Sequence, residues 1–378
     1  MPGPAGAGAH DADGYPPVIR GLVKATAAAT LERTGVAAWV GARPARAWMP
    51  LVIGYHRVVD DFQAHARGYM PSMLISATTL EKQLDWIGRR YEYADPDLMD
   101  RWLRGERPAG RPVAVITFDD GYRDVYEQAF PLLKRKGIPA VVFVVTDLVG
   151  TQGMQIHDEL YLLLAAALPS WRTPEQRLQA VLREAQAAPR FWSEADIGDG
   201  GPLQLTRALL GVLTQEELRR VIQILRHQAG SSAPGGEGLM SMDWAMLDEM
   251  QRAGIRIGSH TCSHALLSNE AADKVAAEAR DSRREVEHRL DTAPLHFAYP
   301  DGRFDASVVA AVADAGYRFG YTTCRHQDSA HPALTIPRRL LWENACLDAF
   351  GRFSPAVMSC QVNGVFDFAA SCRVDHVA

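Results

Sequence analysis

Val113-Ala114-Val115-Ile116-Thr117-Phe118-Asp119-Asp120-Gly121-Tyr122, with the helix-spaced residues up to Lys136, the stop at Gly137 and the second apolar run Ile138 to Val145, is the stretch that decides the fold. Val113 to Phe118 is short and apolar, as a buried strand is, and Tyr122 to Lys136 carries helical spacing. Strand, helix and strand in succession predict a parallel sheet, because only a crossover connection brings the second strand back beside the first in the same direction. The same rhythm extends upstream. Leu51 to His56 is a short β-like run ending in polar residues, and Thr79 to Arg90 is helical through Leu80, Leu84 and Ile87.

Downstream the units continue, with a helix from Asp243 to Ala253 ending at Gly254, a strand at Ile255 to Ile257 and a charged helix from Ala271 to Leu290. A strand at His296 to Tyr299, a helix at Ala306 to Ala315 and a strand at Tyr317 to Thr322 complete the series, which points to a barrel-like sheet. Between Gly150 and Gly238 the rhythm breaks. Leu160 to Leu168, Pro174 to Ala187, Leu203 to Leu213 and Glu216 to Gln228 all read as helix with no strand between them, so this is a helical insertion, and the Gly- and Ser-rich segment from Gly230 is its flexible return. Residues 1 to about 15 read as a disordered tail, and Val18 to Trp48 as one or two Ala-rich helices.

Composition narrows the function classes. With 40 Lys and Arg against 45 Asp and Glu, the chain has no basic field to attract nucleic acid. The five cysteines, Cys262, Cys324, Cys346, Cys360 and Cys372, are scattered with no CxxC pair, which argues against a disulfide framework and a thiolate zinc site. No secretory leader pattern follows Met1, and the apolar stretch Val36 to Val40 is too short to span a bilayer. The expectation is a cytoplasmic protein without a transmembrane segment, open to peripheral membrane contact.

Three strand ends carry candidate chemistry. Asp119 and Asp120 stand where the strand ending at Phe118 runs out, the edge at which barrel enzymes gather catalytic groups. Two adjacent carboxylates share a site only if the alternation of the strand has ended, and Gly121 supplies that break; the plainer reading is an acidic turn. Ser259-His260-Thr261-Cys262-Ser263-His264 places two imidazoles four positions apart, a spacing that on a helical turn puts both on one side, close enough for one ion. A carboxylate with two imidazoles suits zinc first, with nickel, cobalt or iron as alternatives, and leaves positions open for water and substrate. Phe297-Ala298-Tyr299-Pro300-Asp301-Gly302 ends a third strand, and its backbone amides can help bind an oxyanion.

At these three motifs the sequence resembles the polysaccharide deacetylase family, the carbohydrate esterase family 4 enzymes built on a NodB-like homology domain. Thr117 to Asp120 matches the first motif, His260 to His264 the second and Phe297 to Gly302 a common form of the third. The resemblance implies an α/β fold, a distorted (β/α)7-type barrel over residues 50–345, with a helical extension at 1–49, the insertion at about 150–238 and a C-terminal extension at 346–378. It further implies Asp119 as general base, Asp120, His260 and His264 as metal ligands, a divalent ion as cofactor and an N-acetylated saccharide as substrate, with Tyr299, Pro300, Asp301 and Gly302 near the oxyanion.

Two departures from the family pattern stand out. Many members have an arginine opening the third motif where this chain has Ala298, and the late Leu-x-His motif that supplies a general acid is absent. More narrowly, the chain resembles the circularly permuted poly-N-acetylglucosamine deacetylase-like branch, in which an early Tyr-His dipeptide provides that histidine. Tyr55-His56 matches it, which makes His56 the candidate acid, although a strand-end histidine bonded to its neighbours is the plainer reading. Arg338 is a candidate substitute for the missing arginine, although a surface or structural arginine is the plainer reading. Leu341 and Trp342 are candidates to wall an acetyl pocket, and His296 and His331 are not expected to be ligands. Two other functions fit the same features, a hydrolase of a small non-carbohydrate amide and a non-catalytic carbohydrate-binding scaffold of exopolysaccharide assembly.

Overall fold

The structure is a computed structural model that describes residues 17–41, 49–66, 68–106, 110–187, 201–230, 235–236, 238–323 and 327–368. The expected tail, parts of the insertion's return, Cys324 and Cys372 lie outside the described residues. The described residues divide into two compact units, one within residues 49–343 and a smaller one made of 17–41 and 344–368.

The larger unit holds a parallel sheet. Its strands are β1 (Leu51–Tyr55), β4 (Glu92–Tyr93), β5 (Val113–Phe118), β6 (Ala140–Val144), β7 (Arg256–Ser259), β8 (His296–Ala298), β9 (Phe319–Thr322), β10 (Ile336–Pro337) and β11 (Arg339–Leu340). They run in the order β10-β9-β8-β7-β6-β5-β1-β11, with β4 also pairing with β5; a separate parallel pair joins β2 (Arg57–Val59) to β3 (Leu74–Ser76). The two ends of the long sheet are supplied by one stretch of chain. β10 pairs with β9, β11 pairs with β1, and only Arg338 separates them, so six strands and one bipartite strand curl into a distorted barrel. Every residue of β5 and β6 is buried, which is why both read as unbroken apolar runs rather than alternating ones.

Helices lie where the periodicity placed them, at Ala77–Arg90, Phe130–Lys136, Trp244–Arg252, Ala272–Leu290 and Ala306–Asp314. The expected helix from Tyr122 begins differently. Tyr122 makes a bridge to Ser241, and Val125–Ala129 is a π-helical turn that runs into Phe130–Lys136. Gly137 ends that helix at φ 63°, the left-handed conformation that glycine adopts without a Cβ penalty.

The insertion is helical over its described residues, with helices at Ile156–Ala167, Pro174–Glu184, Pro202–Val212 and Gln215–Ala229. Leu160, Leu164, Leu178, Leu209, Val221 and Leu225 meet in a core of its own. Thr214 opens the last helix with a reciprocal capping box to Glu217.

In the smaller unit, Pro17–Arg33, Val36–Gly41 and Pro355–Val362 share a core of Ala28, Ala37, Val357 and Cys360. The N- and C-terminal extensions, separate in the sequence reading, thus form one body. No helix among the described residues is long and apolar enough to cross a membrane.

Candidate metal centre and its neighbours

Strand register brings the candidate residues to one rim. Tyr55 pairs with Phe118 and Val144 with Ser259, so His56, Asp119 and His260 each follow directly on aligned strand ends. The Asp119 N–H still donates to Tyr55 O at 2.9 Å, and that of His260 to Val144 O at 2.8 Å. The ladder ends immediately afterwards. Asp120 takes φ 68° and Gly121 φ 70°, so the break that lets both carboxylates face one site begins at Asp120 itself. A Cβ on Gly121 would meet Val144 Cγ1 at 3.0 Å, which makes glycine the fitting residue there for two reasons.

Asp120, His260 and His264 are buried and offer donor atoms within 4.8 Å of one another. Asp120 Oδ1 lies 3.6 Å from His260 Nε2 and 3.3 Å from His264 Nε2. Neither Asp120 oxygen has a hydrogen-bond partner among the described residues. A buried carboxylate without donors is costly, and two imidazole nitrogens aimed at it are the partners a cation would bridge, so the residues fit a divalent ion. His260 Nδ1 lies 2.8 Å from Ala298 O; a carbonyl only accepts, so Nδ1 carries the proton and Nε2 presents its lone pair. Burial pushes the His260 imidazole down to about 4, which keeps it in the neutral, ligating form. At His264 burial acts in the same direction, but Asp120 outweighs it and the pKa lies above the usual imidazole value. The Asp120 carboxyl, which burial alone would raise, is held well below its ordinary range by His264 and His157.

The two histidines do not sit on a helical turn. His260 to His264 is an irregular turn with Thr261 at φ 72° and His264 at φ 60°, and this backbone, not helical spacing, swings both rings to one side. Side chains hold the turn. Glu278 accepts from the N–H of Cys262 at 2.7 Å and of Ser263 at 3.0 Å and from the Ser263 hydroxyl at 2.6 Å, and Thr261 Oγ1 accepts from the His264 N–H at 2.8 Å. Gln215, from the insertion, donates to Ser263 O.

Arg338 is fully buried and pairs with Asp119 in a fork, Nη1 to Oδ1 at 2.6 Å and Nη2 to Oδ2 at 2.7 Å. It also donates to Thr117 Oγ1 and Thr322 O, and it occupies the one position between β10 and β11, so the residue that closes the barrel also steers Asp119. Burial would raise the Asp119 carboxyl; Arg338, then His260 and His56, hold it below the usual carboxylate range. His56, half-buried, places Nε2 3.9 Å from Asp119 Oδ2.

An expected outcome follows for Arg338→Met. The buried Asp119 charge loses its partner, and the protein loses about 3–5 kcal/mol of stability at neutral pH. The sign with pH is opposite in the two proteins. In the parent, Asp119 has a folded pKa below its unfolded value, so its contribution is present above the unfolded pKa and lost as pH falls. In the variant burial acts with its main opponent gone, the folded pKa rises above the unfolded one, and stability is lost as pH rises. Urea unfolding at pH 4 and pH 8 should show the gap between the two proteins widening at the higher pH; a constant gap refutes this assignment.

In the third motif Pro300 carries no N–H, and the amides of Tyr299 and Gly302 donate to Tyr321 O and Tyr299 O. An oxyanion role for this segment therefore narrows to the amide of Asp301, which sits at φ 55°. Leu341 is buried and donates its N–H to Gly54 O, and Trp342, partly buried, follows it just beyond the end of β11. His296 bonds Asp97 and Tyr321, and His331 bonds Asp328. Sequence reasoning missed His157 and Gln155, which the insertion brings to Asp120. His157 Nε2 lies 3.9 Å from Asp120 Oδ2, and Gln155 donates to Asp120 O at 2.9 Å.

Comparison with known proteins agrees with this architecture. The chain is 20% identical over 253 residues to the Bacillus subtilis (strain 168) protein named "Putative polysaccharide deacetylase YxkH", covering 67% of this chain and 60% of that protein's length. Among solved structures, the Streptococcus pyogenes deacetylase PplD in complex with acetate is similar at a TM-score of 0.50 and 17% identity, over 80% of this chain and 95% of that one. IcaB from Ammonifex degensii gives a TM-score of 0.49 at 17% identity, over 83% and 97% of the two chains. A sequence model of the family described as "Polysaccharide deacetylase" matches residues 106–186 and 198–320, more than half of the chain and inclusive of all three strand-end motifs. The chain belongs to the polysaccharide deacetylase family.

Proposed function

We propose that this protein is a metal-dependent carbohydrate deacetylase that removes N-acetyl groups from an amino sugar or a glycan built from it. The observation that carries this reading is the convergence of His260 and His264 on a buried Asp120 whose carboxylate oxygens have no hydrogen-bond partner among the described residues, with an arginine-paired Asp119 next to it. Asp120, His260 and His264 are the ligands for a divalent ion, zinc by donor type, with nickel, cobalt or iron as alternatives. When bound, such an ion supplies Lewis-acid chemistry, acidifying water and polarising an acyl oxygen at neutral pH.

The remaining steps belong to side chains. Asp119, kept ionised and fixed in orientation by the Arg338 fork, is the general base that takes a proton from the attacking water. His56 flanks Asp119 on the β1 side and, as an imidazolium, hands a proton to the departing amine. In this reading the Asp301 amide is the candidate donor to the oxyanion, and Trp342 and Leu341 are the candidate walls for the acetyl methyl. The formal net charge of -5 provides no overall basic field that would favour nucleic acid over a saccharide.

The test is acetate release from a panel of N-acetylated monosaccharides and oligosaccharides, with ammonia release followed on small amides in parallel. Acetate from the sugars supports the reading. Ammonia from the amides without acetate moves the substrate to the non-carbohydrate class, and neither product leaves a binding scaffold. In the same assay His56→Ala should lose turnover by about 10²-fold while retaining its metal; loss of metal instead makes His56 a ligand and ends the acid assignment.

A further inference from the structure

The helical insertion opens against the metal carboxylate. The Gln155 side chain is buried and donates from Nε2 to the main-chain oxygen of Asp120 at 2.9 Å. Asp120 is held at φ 68°, a left-handed conformation unfavourable for a non-glycine residue, and the Gln155 donor is a restraint on that peptide.

Two residues later, His157 addresses the carboxylate itself. While Oδ1 of Asp120 faces His260 and His264, Oδ2 faces His157 Nε2 at 3.9 Å, and the His157 ring lies 4.8 Å from that of His264, the same separation as between His260 and His264. His157 is tethered through that same nitrogen. Its Nε2 is 2.9 Å from the Tyr122 hydroxyl, which is 2.5 Å from Asp158 Oδ2, and all three side chains are buried. A hydroxyl has one proton to give. With Asp158 ionised that proton goes to Oδ2, so the hydroxyl oxygen accepts from His157, and the His157 proton sits on Nε2 and is donated to Tyr122 rather than to Asp120 Oδ2, 3.9 Å away.

We propose that the opening turn of the insertion is a positioning element of the metal centre, in which Gln155 fixes the backbone of Asp120 and the His157 ring, tethered through Tyr122 and Asp158, packs against the side of the Asp120 carboxylate not facing His260 and His264. This rests on Asp120 being a metal ligand. The insertion then does more than decorate the barrel, because it holds the main chain of Asp120 and occupies the Oδ2 side of its carboxylate. Neither residue touches the reacting atoms; both act through Asp120.

The test measures metal directly. Zinc affinity is read by competition with a chromophoric chelator, and the visible absorption of the cobalt-substituted protein reports ligand geometry. For the parent, one zinc per chain is expected. His157→Leu should still bind one zinc, with affinity lowered by about 10- to 100-fold and an altered cobalt spectrum. Tyr122→Phe, which keeps its ring in the core, and Gln155→Ala should move both readouts in the same direction and decide the matter if His157→Leu does not fold. Wild-type zinc affinity with an unchanged cobalt spectrum in the folded variants overturns the positioning role and leaves the metal site standing. A parent protein that binds no zinc or cobalt overturns both.

Discussion

Asp120→Ala is expected to lose zinc and acetate release together, the first to background in elemental analysis and the second to the rate of a metal-free control. Of the three proposed ligands Asp120 is the only anion, and His260 and His264 both aim Nε2 at its Oδ1. Without it two neutral imidazoles remain, too few donors to hold a catalytic ion. The loss has a thermodynamic signature that is independent of turnover. Ligand that binds only the folded state stabilises it by RT ln(1 + [L]/Kd), roughly 4 kcal/mol at a thousandfold excess over Kd. Zinc should therefore raise the unfolding midpoint of the parent and leave that of Asp120→Ala unmoved. A variant that keeps one zinc per chain removes Asp120 from the ligand set.

How much of this was legible in the sequence varied with the range of the interaction. The barrel strands and helices were readable because their burial pattern is local, and β5 and β6, buried along their whole length, show it most clearly. Strand-end positions of Asp119, Asp120 and His260 follow from the same pattern, since a parallel sheet aligns the ends of its strands. What failed was local geometry set by unusual backbone. The spacing of His260 and His264 suggests a helical turn, yet the turn is built from left-handed Thr261 and His264 stabilised by Glu278, a residue whose helix gives no sign of its target. Arg338 was no more than a candidate for its role, because nothing near Ile336-Pro337 ties it to an aspartate 219 positions away; only closure of the barrel between β10 and β11 does. His157 is a single histidine on an apolar helix, with no motif to distinguish it from a satisfied core residue. Its signal was the density of polar residues in Gln155-Ile156-His157-Asp158, unusual for a turn whose four residues include three that are fully buried.

Asp119→Asn separates chemistry from metal binding and is expected to cost about 10²- to 10⁴-fold in turnover. The amide is nearly isosteric but cannot accept a proton at neutral pH, while the donors of Asp120, His260 and His264 are untouched, so zinc content should stay at one per chain. A second loss accompanies the first. Arg338, buried and matched to two carboxylate oxygens, would face one oxygen and one NH2 group, leaving a guanidinium charge without its counter-charge at a cost of about 3–5 kcal/mol. Low activity in the single variant could thus come from a damaged fold rather than a missing base. The double variant Asp119→Asn with Arg338→Met resolves this, because it removes both charges and should recover much of the stability lost by either change alone. Turnover behaves differently. No stabilisation of the barrel restores a proton acceptor beside the metal ligands, so the double variant should fold, hold zinc and remain as slow as Asp119→Asn. If its acetate release returns to within a few fold of the parent, Asp119 is not the base and the carboxylate–guanidinium fork serves only to close the barrel.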